Sequence, residues 1–278
     1  MPVPSIDRFA NLTAPADWQA VDFMSDLHLQ AGEPETFEAW TRYLSSPATQ
    51  RGDALFILGD LFEVWVGDDV LTADAATSAD LVFWRACASA LHTFSTHTPV
   101  YFLCGNRDFL LGPDALAACG MHGLTDPTVL SFQGQRWLLS HGDELCLADT
   151  DYMRFRTQVR TPEWQRAFLA QPLAQREAIA HDLRAQSEAR KRSTGHDQSL
   201  WADVDTDAAR DWLQRAEAQT LIHGHTHRPA THTLGDDGLR RVVLSDWDLC
   251  ATPPRAEVLR LDAQGLRRLP LVSSALTP

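Results

Sequence analysis

Five short polar clusters carry the residue types that could do chemistry in this chain: Asp26-Leu27-His28, Gly59-Asp60, Gly105-Asn106-Arg107-Asp108, His141-Gly142-Asp143 and Gly224-His225-Thr226-His227. Together they supply Asp26, His28, Asp60, Asn106, His141, His225 and His227, a set of oxygens and imidazoles without a thiolate. Such donors suit borderline-hard divalent ions better than a structural zinc, and the expected cofactor is Mn²⁺, two ions per chain. Two adjacent ions can clamp a phosphoryl group and generate a hydroxide near neutral pH, so the pattern implies hydrolysis of a phosphate bond. Taken singly, each cluster is weak: Asp-x-His occurs at many solvated strand ends, and a lone asparagine is usually a turn residue. His225-x-His227 is stronger, because residues i and i+2 can reach one ion from an irregular loop and glycine permits the close approach. The joint pattern, in this order and mostly after apolar runs, carries the inference.

The elements that must position these residues can be read from hydrophobic patterning. Val21–Ser25, Ala54–Leu58 and Val100–Leu103 are short apolar runs, each followed at once by a polar cluster. Helical patterns over Glu35–Leu44 and Ser78–Phe94 separate them. Strand, helix, strand with polar residues at strand ends is the arrangement of α/β enzymes. Later, Val129–Phe132 and Arg136–Ser140 flank Gln133-Gly134-Gln135 and predict a β-hairpin closed by His141. Leu221–Ile222 leads into the last cluster, Thr231–Leu234 and Arg241–Leu244 predict a second hairpin, and Ala256–Leu261 adds a strand. The fold expected is α/β (α+β): a four-layer αββα sandwich of two mixed sheets with helices outside. Residues 149–200 differ, with helix formers throughout, basic residues outnumbering acidic ones, and Phe155, Trp164, Phe168, Leu169 and Ile179 as apolar positions. They read as a helical insertion over the mouth of the site. The expected division is an N-terminal extension (1–20), a core (21–148 and 201–278) and this cap (149–200).

Bulk properties exclude several classes. A formal charge of −13 over 278 residues argues against a nucleic-acid partner, which wants a basic face. No apolar run approaches the ~20 residues a membrane span needs, and the N-terminus lacks the basic and apolar regions of a signal peptide. Five cysteines, odd in number and without a C-x-x-C pair, read as reduced, buried thiols of a cytosolic protein.

Asp-x-His, Gly-Asp, Gly-Asn-x-Asp, His-Gly-Asp and Gly-His-x-His, in that order, resemble the calcineurin-like metallophosphoesterases. The resemblance implies that Asp26, His28 and His227 hold one ion, that Asn106, His141 and His225 hold the other, and that Asp60 bridges both. Within that superfamily, Gly59–Asp69, Gly105–Gly112 and Ile222–Pro229 resemble the enzymes that split UDP-2,3-diacylglucosamine in lipid A biosynthesis. The implied reaction is attack of metal-activated water on the uridine-linked phosphorus, giving UMP and 2,3-diacylglucosamine 1-phosphate. The implied catalytic residues are Asp60, Asn106, Arg107 and His141. The implied substrate contacts are Asn106, Arg107, Asp149, Ser187, Lys191, Thr194 and His225, and the implied site of action is the anionic cytoplasmic face of the inner membrane.

Arg107 supports this from its chemistry. Many metallophosphoesterases place a histidine after the motif asparagine, where it can protonate an alkoxide; a guanidinium cannot give up a proton at neutral pH. A leaving phosphate, with a pKa of roughly 6–7, needs charge neutralisation rather than an acid, and a guanidinium fork supplies it. The alternative partner for Arg107 is its neighbour Asp108. Asp143 is expected to orient His141 or to be a turn residue, and Glu63, Trp65, Asp68 and Asp69 to support the ligands from behind. His223 is expected to end a strand or to pack beneath the site rather than to bind metal. Two other functions share the residues: a soluble nucleotide or dinucleotide pyrophosphatase, distinguished by indifference to acyl chains, and a non-catalytic binding module, distinguished by its metal content.

Overall fold

The computed structural model describes residues 9–74, 78–193 and 203–272; between 186 and 193 it describes the backbone alone. One sheet is built on four parallel strands, β2 (Ala20–Met24), β3 (Ala54–Leu58), β4 (Val100–Leu103) and β5 (Met121–Gly123). The antiparallel strands β11 (Glu257–Asp262) and β12 (Gly265–Pro270) extend it, giving the order β12-β11-β2-β3-β4-β5. The other sheet holds β1 (Ala10–Thr13), β6 (Thr128–Phe132), β7 (Gln135–Leu139), β8 (Thr220–His223), β9 (Ala230–Thr233) and β10 (Arg240–Val243), in the order β1-β6-β7-β8-β10-β9. Both predicted hairpins are present, as the antiparallel pairs β6–β7 and β9–β10.

Three apolar clusters define four layers. Phe23, Phe56 and Leu58 meet Leu130, Leu139 and Ile222 between the sheets. On the outer face of the first sheet, Met24, Leu55 and Ile57 pack against helices α1 (Pro34–Leu44), α2 (Ala79–Ser95) and α3 (Pro113–Cys119). The second sheet is covered on Leu138 and Leu221 by α7 (Thr206–Arg215) through Trp212 and Leu213. A strand buried on both faces must be apolar at every position, which is why β3 reads Ala-Leu-Phe-Ile-Leu without alternation. The buried residues of α2, among them Leu81, Trp84, Ala88 and Leu91, follow the helical period, and the Ser78 hydroxyl accepts from Leu81 N as its N-cap.

The stretch read as an N-terminal extension supplies β1, paired parallel with β6 at the sheet edge. Four residues of alternating half-burial, with Leu12 the apolar residue packed against the intersheet core, leave too short a pattern to read from sequence. The segment 150–193 forms α4 (Thr150–Val159), α5 (Pro162–Leu169) and α6 (Leu173–Ser193).

Candidate active site

Every chemistry-bearing cluster sits at the C-terminal end of a strand, where an α/β sheet opens a crevice. β2 delivers Asp26 and His28, β3 Asp60 and β4 Asn106, while β7 and β8 of the facing sheet deliver His141 and His225. The chain turns abruptly at these points. Asp26, His28, Asp60, His225 and His227 all have φ between 49° and 68°, and they are five of the seven non-glycine residues with positive φ among the described residues. Each such residue costs on the order of 1–3 kcal/mol, a strain that clusters at functional sites. Glycines make the approach between loops possible. A Cβ on Gly105 would collide with Asp60, and one on Gly224 with Asp26 and Ser25.

The sequence-predicted set of Asp26, His28, Asp60, Asn106, His141, His225 and His227 converges on one place. Asp60 Oδ2 lies 3.8 Å from His28 Nε2 and 3.6 Å from His141 Nε2, between two groups of donors. On one side, His28 Nε2 is 3.3 Å from His227 Nε2, which is 3.4 Å from Asp26 Oδ1. On the other, Asn106 Oδ1 lies 3.0 Å from His141 Nε2 and 2.9 Å from His225 Nδ1. Asp26, His28 and His227 thus form one ligand-sized cluster, and Asp26, Asp60 and His141 another.

The donor chemistry fits a pair of cations. His141 Nδ1 is 2.9 Å from the Leu58 carbonyl and must donate to it, which leaves Nε2 of the neutral ring an acceptor facing the acceptor Asn106 Oδ1. His28 Nδ1 faces Glu63 Oε2 at 2.6 Å in a bent contact, so its Nε2 also turns a lone pair inward. His227 Nδ1 faces Asp246 Oδ2 at 3.7 Å. Carboxylate or carbonyl partners on the outer ring nitrogens are the usual support for metal-binding histidines. Lone pairs facing one another are relieved by a cation or by a proton. Burial opposes charging of His141, but Asp60, Asp26 and Asp143 outweigh it and push its pKa up to about 9. Burial and the neighbouring His141 push His225 down to about 3.

The motif carboxylate Asp108 does not pair with Arg107. It is fully buried and accepts from Gly105 N and Leu61 N at 2.7 Å each, tying the β3 and β4 loops together. Arg107 instead has Nη1 3.5 Å from Glu63 Oε1. The expectation that Asp143 orients His141 is overturned. Asp143 Oδ2 accepts from Tyr152 Oη at 2.5 Å and Arg156 Nε at 2.8 Å, and Leu58 O holds the His141 ring. The acid next to His141 is Asp126, whose Oδ2 accepts from His141 N. Asp143 therefore anchors α4 over the site, where Tyr152 lies with its ring centroid 5.7 Å from that of His225. Arg160, the C-cap residue at the other end of α4, donates to Gly105 O at 2.8 Å.

Among the residues expected behind the ligands, Glu63 touches His28, whereas the other three act at a distance. Trp65 Nε1 donates to Asp68, Asp68 accepts from three backbone N–H groups at the start of α3, and Asp69 pairs with Arg176 of α6. His223 is buried beneath Gly142, as expected, with burial and Arg241 holding its pKa down at about 4. Asp149 caps α4, accepting from Tyr152 N. Of Ser187 and Lys191 only the helical backbone is described, and Thr194 lies outside the described residues. Sequence reasoning missed Tyr152, Arg160, Arg184 and Asp246. Only Asp246 carried a legible signal, since it follows the apolar run Val242–Leu244 as the other site residues follow theirs.

A two-sheet sandwich with this donor cluster at its strand ends defines a phosphoesterase-type hydrolase. Residues 20–229 match the calcineurin-like phosphoesterase family, and the chain belongs to it. A protein of Chromobacterium violaceum named UDP-2,3-diacylglucosamine hydrolase is 45% identical over 254 residues, covering 91% of this chain and 99% of its own. Proteins of the same name from Xanthomonas oryzae pv. oryzae and Stenotrophomonas maltophilia are 43% and 42% identical, over 88% and 87% of this chain and 96% and 95% of theirs.

Proposed function

We propose that this chain hydrolyses the pyrophosphate bond of UDP-2,3-diacylglucosamine, releasing UMP and 2,3-diacylglucosamine 1-phosphate in lipid A biosynthesis. The observation that carries the reading is the placement of Asp60 Oδ2 between the inward nitrogens of His28 and His141, in a chain that aligns with nearly the whole length of relatives named for this substrate. In this reading Asp26, His28 and His227 hold one divalent ion, Asn106, His141 and His225 the other, and Asp60 both, with Mn²⁺ the ion the donors favour. When bound, the two ions supply Lewis acidity toward phosphoryl oxygens and water of lowered pKa.

The chain's own residues do the rest. Asn106 turns its carbonyl oxygen toward His141 and His225, which leaves its amide NH₂ to donate to a phosphoryl oxygen. Arg107 neutralises the departing phosphate without giving it a proton, so that bond cleavage between two phosphates is favoured over cleavage of an alkyl monoester. Asp149 at the start of α4, with Ser187, Lys191 and Thr194 along and beyond α6, is assigned to the sugar and its acyl groups. Phe155, Leu169 and Leu183 are exposed apolar side chains of the cap. Such side chains suit acyl chains and an anionic leaflet, which supports a peripheral position on the cytoplasmic face of the inner membrane. Among the described residues no helix is long and apolar enough to cross a membrane.

The test is Asp60→Ala. UMP release should vanish while circular dichroism and melting stay those of a folded protein; turnover retained in this variant would sink the two-ion reading.

A further inference from the structure

We infer that Glu63 is a positioning residue that serves both halves of the site at once, orienting His28 from behind and holding Arg107 and Arg184 together at the rim. The inference rests on the metal and phosphate roles proposed above and adds to them a residue they do not use.

Glu63 lies three residues beyond Asp60, on a segment that runs alongside the His28 loop. His28 N donates to Asp60 O at 3.0 Å, Leu29 N to Leu61 O at 2.9 Å and Glu63 N to Leu29 O at 3.2 Å. This short ladder fixes the distance between the two backbones, so the side chains of His28 and Glu63 meet by register rather than by chance. The carboxylate is only 7% exposed, and an unpaired charge there would be costly. Among the described residues it has three partners on three separate elements. Oε2 faces His28 Nδ1 at 2.6 Å, while Oε1 lies 3.1 Å from Arg184 Nε of α6 and 3.5 Å from Arg107 Nη1 of the β4 loop.

Two consequences follow from the charges. An anion at His28 Nδ1 keeps the proton on that nitrogen and leaves Nε2 free, turned toward His227 and Asp60. Two guanidiniums sharing one carboxylate are ordered by it, and the pair carries one positive charge more than that carboxylate cancels. That is a preorganised seat for an anion that need not wait for two long side chains to find their places. Arg184 also donates to Gln30 Oε1, so the same cluster pins α6 to the edge of the site.

Glu63→Gln in the full chain tests this, since glutamine keeps the size and an acceptor but not the charge. After chelator treatment, Mn²⁺ binding is followed by electron paramagnetic resonance; in the variant one of two ions should bind about 10–100-fold more weakly and the other as in the parent. Nitrogen NMR of histidine-labelled protein should show the His28 tautomer mixed in the variant and single in the parent. With Mn²⁺ saturating, kcat should fall while KM does not rise, the signature of lost order rather than lost attraction. A merely structural ion pair would lower the melting temperature and leave the tautomer and the Mn²⁺ isotherm alone, and that result overturns the inference. If the variant fails to fold, Glu63→Asp withdraws the carboxylate by one methylene and should weaken Mn²⁺ in the same direction; an unaltered isotherm there overturns it equally. A parent protein that binds no divalent ion overturns the proposed function itself, and the inference with it.

Discussion

Replacing Gly105 by alanine asks whether the approach of the β4 loop to Asp60 is what the site depends on. A Cβ placed on Gly105 would stand 2.5 Å from Asp60 N and 2.7 Å from its Cγ, with the carboxylate Oδ1 nearer still. Ordinary contact begins at 3.4 Å, so one of the two loops must retreat by about 0.9 Å. Neither is free to do so without loss. Asp60 Oδ1 accepts from Arg107 N at 2.8 Å, and Asp108 clamps Gly105 N and Leu61 N from below. The overpacking should cost about 1–3 kcal/mol, a loss the fold can absorb. Displacement of a central ligand by about 1 Å should cost far more in rate, on the order of 10²-fold. The assay is UMP release at saturating Mn²⁺ alongside thermal melting, with Gly32→Ala as control, because nothing lies within 4 Å of that position. Gly105→Ala should be folded and nearly inactive, and Gly32→Ala unchanged. Activity within about threefold of the parent for Gly105→Ala would refute the claim that this contact sets the geometry.

Other perturbations separate stability from function. Asp22 is fully buried and receives Arg260 at 2.7 Å through two nitrogens, with Tyr43 Oη at 2.7 Å. Asp22→Ala should therefore destabilise by about 3–5 kcal/mol, read in urea melts, while turnover at low temperature stays within about twofold. Burial pushes the thiols of Cys119 and Cys146 up to about 12 and that of Cys87 well above the usual value. Their unfolded pKa is about 8.5. Raised folded values mean that stability is intact below about 8.5 and falls as pH climbs from there toward 12, because the unfolded chain releases these protons first. At pH 9.5 the three thiols together should cost about 4 kcal/mol, and Cys119→Ala should flatten the profile of melting temperature against pH measured in reductant. Removing divalent ions with a chelator should abolish UMP release and lower the melting temperature, and Mn²⁺ should restore both, since a ligand bound only by the folded state stabilises it.

Much of the candidate site was legible because chemistry-bearing residues at strand ends leave two marks together, an apolar run and a polar residue directly after it. Asp26, Asp60, Asn106, His141 and His225 all carry that mark, and the structure brings all five together. What was not legible depends on pairings between distant segments. β1 is four residues long and has one inward apolar side chain, so its pattern could not be told from coil. The contact of Arg107 with Glu63 could not be read, because only the fold turns the neighbouring Asp108 away toward backbone N–H groups. The support of His141 by a backbone carbonyl, Leu58 O, is invisible to any reading of side-chain types, which is why the sequence left Asp143 open between orienting His141 and ending a turn. Arg184 of α6 sits 121 residues from Glu63, and helical periodicity gives no hint of that contact.

UMP release from UDP-2,3-diacylglucosamine in detergent micelles, with and without Mn²⁺ and beside deacylated UDP-glucosamine, tests the central claim most directly. Mn²⁺-dependent turnover of the acylated substrate alone is the predicted result. Equal turnover of both would contradict the lipid specificity and leave a soluble nucleotide pyrophosphatase; turnover of neither would contradict the enzyme altogether.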